Sequence, residues 1–172
     1  MWSDNTMQSI RNMLVGAACV LATSIAFAAP PRVEQFDVAT WEQLKNELSR
    51  PSVVVFTATY CANCPAVLEG LSNALKKRGL SGDVIAVVID EADTAELLSS
   101  KHYAHASRLF LFQGNEAALR YRVDPKWRGV TPYAALFPKE GAPVFAAGTP
   151  SDAAIEAWLG RSGFQPDVEA SE

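Results

Sequence analysis

Two short runs of apolar, mostly β-branched residues, Ser52-Val53-Val54-Val55-Phe56-Thr57-Ala58 and Val84-Ile85-Ala86-Val87-Val88-Ile89, constrain this chain more than anything else in it. Neither alternates apolar with polar residues, so each reads as a strand covered on both faces, the habit of strands inside a parallel sheet. Between them Val67, Leu68, Leu71 and Leu75 recur at helical spacing, and the segment closes on Lys76, Lys77 and Arg78 ahead of Gly79. Basic residues suit the negative end of a helix, and glycine ends it. Strand, crossover helix and strand form one βαβ unit, which calls for helices on both faces of the sheet.

The same alternation runs through most of the chain. Residues 33–38 are predicted to form a short strand, and Thr40 with Gln43 a capping box for a helix through Leu44 and Leu48. After the second apolar run, Asp93 and Glu96 cap a helix with Leu97 and Leu98 inside; residues 109–112 follow as a strand and 115–121 as a short helix. Residues 133–137 and 144–147 flank the turn Pro138-Lys139-Glu140-Gly141-Ala142 and predict a hairpin. Thr149, Pro150 and Asp152 open a last helix through Ile155, Trp158 and Leu159. The order β-α-β-α-β-α-β-α-β-β-α predicts an α/β fold, a central mixed sheet with helices on both faces and a C-terminal antiparallel hairpin plus helix.

With 172 residues, 49% of them hydrophobic and 20% charged, the chain supplies one globular core. A net charge of −4 gives no basic surface for phosphates, so nucleic acid is not an expected partner. Residues 1–28 read as a secretory signal peptide: Arg11 is its positive start, 13–29 are uncharged, and Ala26-Phe27-Ala28 is a small-x-small cleavage site. Residues 29–172 are then the mature domain, with an ordered core over about 33–162 and an acidic tail from Gln165. The membrane is a partner only if this segment stays uncleaved as an anchor. Export to the periplasm places the chain where disulfides persist, and removal of Cys19 with the signal leaves Cys61 and Cys64. Two cysteines three apart close too small a loop to be a useful staple, so a redox pair is the better reading. Half of a zinc site is the dull alternative, but no second pair completes four ligands. His102 and His105 are expected as exposed or capping residues, with copper coordination as the alternative.

Thr59-Tyr60-Cys61-Ala62-Asn63-Cys64-Pro65 follows the first buried strand and places Cys61 at the N-terminus of the next helix, where unpaired N–H groups favour a thiolate. Cys64, a turn inward, is the shielded partner that resolves a mixed disulfide made by Cys61. The strand at 53–56, the Cys-x-x-Cys and Thr131-Pro132 ahead of an apolar strand resemble the thioredoxin superfamily over most of residues 33–160. The resemblance implies a thioredoxin-like fold and an exported thiol-disulfide oxidoreductase. It implies a cis Pro132 facing the sulfurs and a Thr131 backbone that pairs with the substrate. Tyr60 stands where a tryptophan is usual; with Trp127, just before the proline loop, it completes the expected substrate surface, although Trp41, Trp127 and Trp158 read by default as core or rim packing. No cofactor beyond the Cys61–Cys64 disulfide and no metal are expected; the partners are protein thiols or disulfides and a membrane or periplasmic redox protein.

The strand and helix within 109–121 are similar to the insertion of periplasmic TlpA/ResA-type reductases, which favours reduction, although the N-terminal hairpin of those proteins is missing. Ala62-Asn63 matches neither the reducing nor the strongly oxidising members. Val55 and Val67 occupy positions where thioredoxin and the periplasmic reductases carry acids, so Glu69 or Asp90 is the substitute proton acceptor if there is one. Cys64-Pro65 is also similar to copper-delivery proteins of this fold, one residue short in spacing, and so a copper-handling or redox-responsive binding protein is the alternative.

Overall fold

In the computed structural model, β2 (Ser52–Thr57) and β3 (Val84–Val88) lie side by side and parallel at the centre of the sheet, Val53 opposite Val84 and Thr57 opposite Val88. Every residue of both strands is buried, as two-faced apolar runs require. The structure describes residues 32–48 and 51–160. The chain divides at Pro30, and these residues belong to the second unit. The expected signal peptide at 1–28 and the acidic tail lie outside the described residues.

The sheet has six strands in the order β1-β4-β3-β2-β5-β6. β1 (Val33–Phe36) and β4 (Arg108–Phe112) extend the parallel half, whereas β5 (Tyr133–Phe137) and β6 (Val144–Ala147) run antiparallel on the other side of β2. The helices are α1 (Val38–Glu47), α2 (Cys64–Lys77), α3 (Thr94–Ser99), α4 (Glu116–Val123) and α5 (Asp152–Leu159), with a 3-10 turn at Lys101–Tyr103. The element order is the one expected: an α/β fold on a central mixed sheet, closed by a C-terminal antiparallel hairpin and helix. The 109–121 stretch supplies β4, which separates β3 from the edge strand β1.

Alternation along β2 divides the core in two. Val54 and Phe56 join an aromatic cluster with Phe36, Trp41, Phe110 and Phe137. Val53 and Val55 join an aliphatic one with Leu68, Leu71 and Leu75 of α2 and Trp158 of α5. The Trp158 indole N–H donates to the Ser52 carbonyl at 3.0 Å, tying α5 to the start of β2. Arg78, at the end of α2, donates to Glu156 and to the Gly160 carbonyl. Among the described residues no helix is long and apolar enough to cross a membrane.

Three local expectations are corrected. The cap of α1 is Asp37, whose carboxylate accepts the Thr40 N–H at 2.7 Å, because β1 ends on buried Phe36 and Asp37 is the next residue free to turn. The cap of α5 is Ser151, which accepts from the Ala154 N–H, and not Thr149. Leu98 is 41% exposed, since α3 is short and only Leu97 reaches the core.

A Cβ placed on Gly82 would lie 1.7 Å from the Pro51 carbonyl oxygen, so the chain entering β3 passes too close to that entering β2 for any side chain. Gly82→Ala should therefore destabilise the protein by about 1–3 kcal/mol. Urea unfolding checks this; an unchanged midpoint would mean the two segments are not so closely packed.

Candidate active site

Leaving β2, the chain passes buried Ala58 and exposes Thr59 and Tyr60, the latter at 80%. Two turns then fold it into α2: the Cys61 N–H donates to the Ala58 carbonyl at 3.0 Å, and the Cys64 N–H to the Cys61 carbonyl at 3.2 Å. Cys61 thus lies in the turn ahead of α2 and Cys64 is its first residue, a shift of one turn from the expected helix start. Asn63 makes no side-chain capping bond, and the first turn holds no acidic side chain. The Cys64 and Val67 N–H groups are taken by the Cys61 and Asn63 carbonyls and Pro65 has none, so the helix start acts on a sulfur anion chiefly through its dipole.

Cys61 and Cys64 are joined in a disulfide, Cα atoms 5.5 Å apart. With Ala58 they form a small apolar cluster of their own. Cys61 is 7% exposed and Cys64 is completely buried, so of the pair only Cys61 retains any contact with solvent.

Thr131-Pro132 is cis, as expected. Phe56 pairs with Tyr133 across the β2–β5 ladder, so Pro132 stands one step beyond, beside the strand end from which the cysteine turn departs. Pro132 is buried, and its carbonyl accepts the Gly148 N–H at 2.8 Å. Thr131 is half-buried and Val130 exposed.

Trp127 does not face the surface expected of it. It is 4% exposed, with its ring 4.7 Å from Tyr133 and 4.9 Å from Phe56, and its indole N–H donates to the Val130 carbonyl at 2.9 Å. It holds the proline loop from beneath. The sequence reading missed the partners of this brace, Asp124 and Tyr133. The Tyr133 hydroxyl donates to one Asp124 carboxylate oxygen, the Lys126 N–H to the other at 2.9 Å, and the Trp127 N–H to the Asp124 carbonyl at 2.9 Å. Burial opposes the Asp124 charge, but the bonds from Tyr133 and Lys126 outweigh it and hold its carboxyl below the ordinary 3.8. Burial, and then the bond to Asp124, push the Tyr133 hydroxyl well above its ordinary 10.0.

Of the two acids considered as proton acceptors, Glu69 is exposed on α2. Asp90, just past β3, accepts the Thr59 N–H at 3.0 Å and the Thr59 hydroxyl. His102 and His105 are half-buried, and among the described residues no three His, Cys, Asp or Glu side chains group so as to hold a metal.

No family model and no curated protein matches the chain. Solved structures do. The thioredoxin domain of a thiol-disulfide oxidoreductase from Bacteroides vulgatus aligns with a TM-score of 0.48 at 14% identity, covering 76% of this chain and 91% of that one. A thio-disulfide isomerase from Thermus thermophilus gives 0.44 at 19% identity, over 75% and 94%. An exposed lipoprotein thioredoxin from Streptococcus pneumoniae gives 0.44 at 21% identity, over 73% and 96%.

Trp127→Phe keeps an aromatic ring but loses the bond to Val130 and part of the buried indole, so it should cost about 1–3 kcal/mol in urea unfolding. An unaffected midpoint would show that the indole N–H is not holding the loop. Asp124 has a folded-state pKa below its unfolded one, so its contribution is complete above about pH 4 and is lost as the pH falls through the folded value. Asp124→Asn should flatten that acid limb in melting temperatures taken from pH 2 to 6, and an unchanged limb would place the effect elsewhere.

Proposed function

We propose that this chain is an exported, periplasmic thiol-disulfide oxidoreductase that reduces protein disulfides through Cys61 and Cys64. The observation that carries the reading is the unequal burial of the bonded pair, 7% exposed against 0%, at the start of a helix. In the dithiol form, the Cys61 thiolate attacks one sulfur of a substrate disulfide. A mixed disulfide forms, and the other substrate sulfur leaves as a thiolate that takes up a proton. The Cys64 thiol then loses its proton and attacks the Cys61 sulfur. The second substrate sulfur leaves, the Cys61–Cys64 bond closes, and two electrons have passed to the substrate. A redox partner in the membrane or periplasm returns them. Run backwards, the same steps oxidise a dithiol, and the favoured direction follows from the reduction potential.

The helix start supports Cys61 as the thiolate, and as the less buried of the two it is the one a partner's sulfur would meet first. Exposed Tyr60 on one side and Thr131 with Pro132 on the other offer a receiving surface, where an extended substrate can pair as an added strand with the Thr131 backbone. Support for export is the signal-peptide pattern in residues 1–28. The two sulfurs carry the chemistry, and no further cofactor is invoked.

The protein should accelerate insulin reduction by dithiothreitol, and Cys61→Ser should return the rate to background. Cys64→Ser should accumulate a mixed disulfide on Cys61 that dithiothreitol releases. In the reduced protein, iodoacetamide at mildly acidic pH should label Cys61 before Cys64. No acceleration and no trapped species, together with tight stoichiometric Cu(I) binding, would instead support a copper-handling protein.

A further inference from the structure

Asp90 takes no part in the exchange just described, yet it is anchored to the chain that carries it. It follows β3, where the Ile89 N–H donates to the Thr57 carbonyl at 2.9 Å and ends the β2–β3 ladder. One residue on, the Asp90 carboxylate continues the link through a side chain, taking both the N–H and the hydroxyl of Thr59. Thr59 is two residues before Cys61. Consecutive Cα atoms are about 3.8 Å apart, so even a fully extended path would leave the carboxylate within roughly 15 Å of the Cys61 sulfur.

Few groups offset that charge. Among the described residues, no lysine or arginine is ion-paired with Asp90. From the 3-10 turn, His102 and Tyr103 feel it. Both have a buried polar atom without a hydrogen-bond partner, the His102 Nε2 and the Tyr103 hydroxyl. Burial holds the His102 imidazole below its ordinary 6.5, against the pull of Asp90, so it is neutral at neutral pH. Burial and the Asp90 charge push the Tyr103 hydroxyl up to about 12. The cleft beside Asp90 is lined by Glu91 from its own loop and Glu116 from α4, and both are acidic.

We propose that Asp90 is a positioning residue for the redox pair: through Thr59 its carboxylate fixes the turn bearing Cys61, and its negative charge beside that turn restrains ionisation of the Cys61 thiol. The proposal rests on the redox reading of the pair. Its sign opposes that of the helix start. The positive end of the α2 dipole draws the sulfur toward thiolate, while Asp90 pushes it toward thiol and so makes the dithiol form less favourable than the helix start alone would.

The test follows Cys61 in the full chain by iodoacetamide alkylation against pH, with peptide-resolved mass spectrometry to separate it from Cys19 and Cys64. Asp90→Asn removes the charge and keeps an acceptor for Thr59. It should raise the thiolate fraction of Cys61 about two- to fourfold at low salt and less at 0.15 M, where screening acts over about 8 Å. The equilibrium of the pair with glutathione should move toward dithiol by a similar factor. Thr59→Val loses the hydroxyl bond without changing the charge; it should slow insulin reduction severalfold with the Cys61 titration little moved, and Thr59→Ser should restore the rate. Circular dichroism confirms that each variant folds. An Asp90→Asn protein that melts lower but titrates like wild type would make Asp90 merely structural and overturn the proposal. A wild type whose Cys61–Cys64 disulfide does not exchange with glutathione at all would overturn the redox reading and this proposal together.

Discussion

Complete burial of β2 on both faces is the constraint on which the rest of the molecule depends. A strand with no polar side must be covered twice, and this chain covers it with aromatic side chains on one face and aliphatic ones on the other. The two coverings differ in shape, so a slip of one residue would drive Phe56 into the layer packed for Val53 and Val55. The register that prevents this also fixes where the strand ends. Ala58 is the last residue the core can hold, and the turn that follows has to bring the cysteines to the rim.

Two loops meet at that rim, and each is tied down by a carboxylate outside the sulfur cluster. Asp90 holds the cysteine turn to the end of β3 through Thr59. Asp124 holds the proline loop through Tyr133, with Trp127 supporting Val130 from below. The sulfurs themselves touch an apolar environment, Ala58 among it, where a polar group without a partner would be costly. Fixing the loops at their margins leaves the centre free of competing donors and acceptors. The disulfide exchange proposed for this site would benefit from that, since its attacking and leaving atoms are all sulfur.

What could be read from the chain beforehand follows from how local each signal is. The apolar runs gave strands and their neighbours because periodicity alone distinguishes a covered strand from an edge one. Caps were less legible: serine, threonine and aspartate recur every few residues near a helix start, and which one caps depends on where the chain leaves the sheet. Thr40 therefore yielded to Asp37, and Thr149 to Ser151. Trp127 lies in a loop without periodicity, so nothing in its neighbours says whether the ring faces in or out. The Asp124–Tyr133 bond joins residues nine apart across a loop whose path the sequence does not dictate. Asp90 stood out as a carboxylate at a strand end, but its partner Thr59 is visible only once β2 and β3 are side by side.

Two absences in the sequence bear on how such a site is tuned. Val55 and Val67 are buried where the resembling proteins carry acids, so the interior behind the pair supplies hydrocarbon and no charge. A thiol surrounded by hydrocarbon ionises less readily, and Cys64 is completely buried. In the proposed reaction, deprotonation of Cys64 would then depend on what the mixed disulfide and the substrate bring to the rim, and less on an internal base. On the proposal made for Asp90, the remaining electrostatic control would act on Cys61 from outside the core, through the opposed influences of the α2 start and Asp90. Because those influences lie near solvent, ionic strength reaches them in a way it would not reach a buried acid. The reactivity of this pair should accordingly be more sensitive to salt than that of a site governed by a carboxylate in the core.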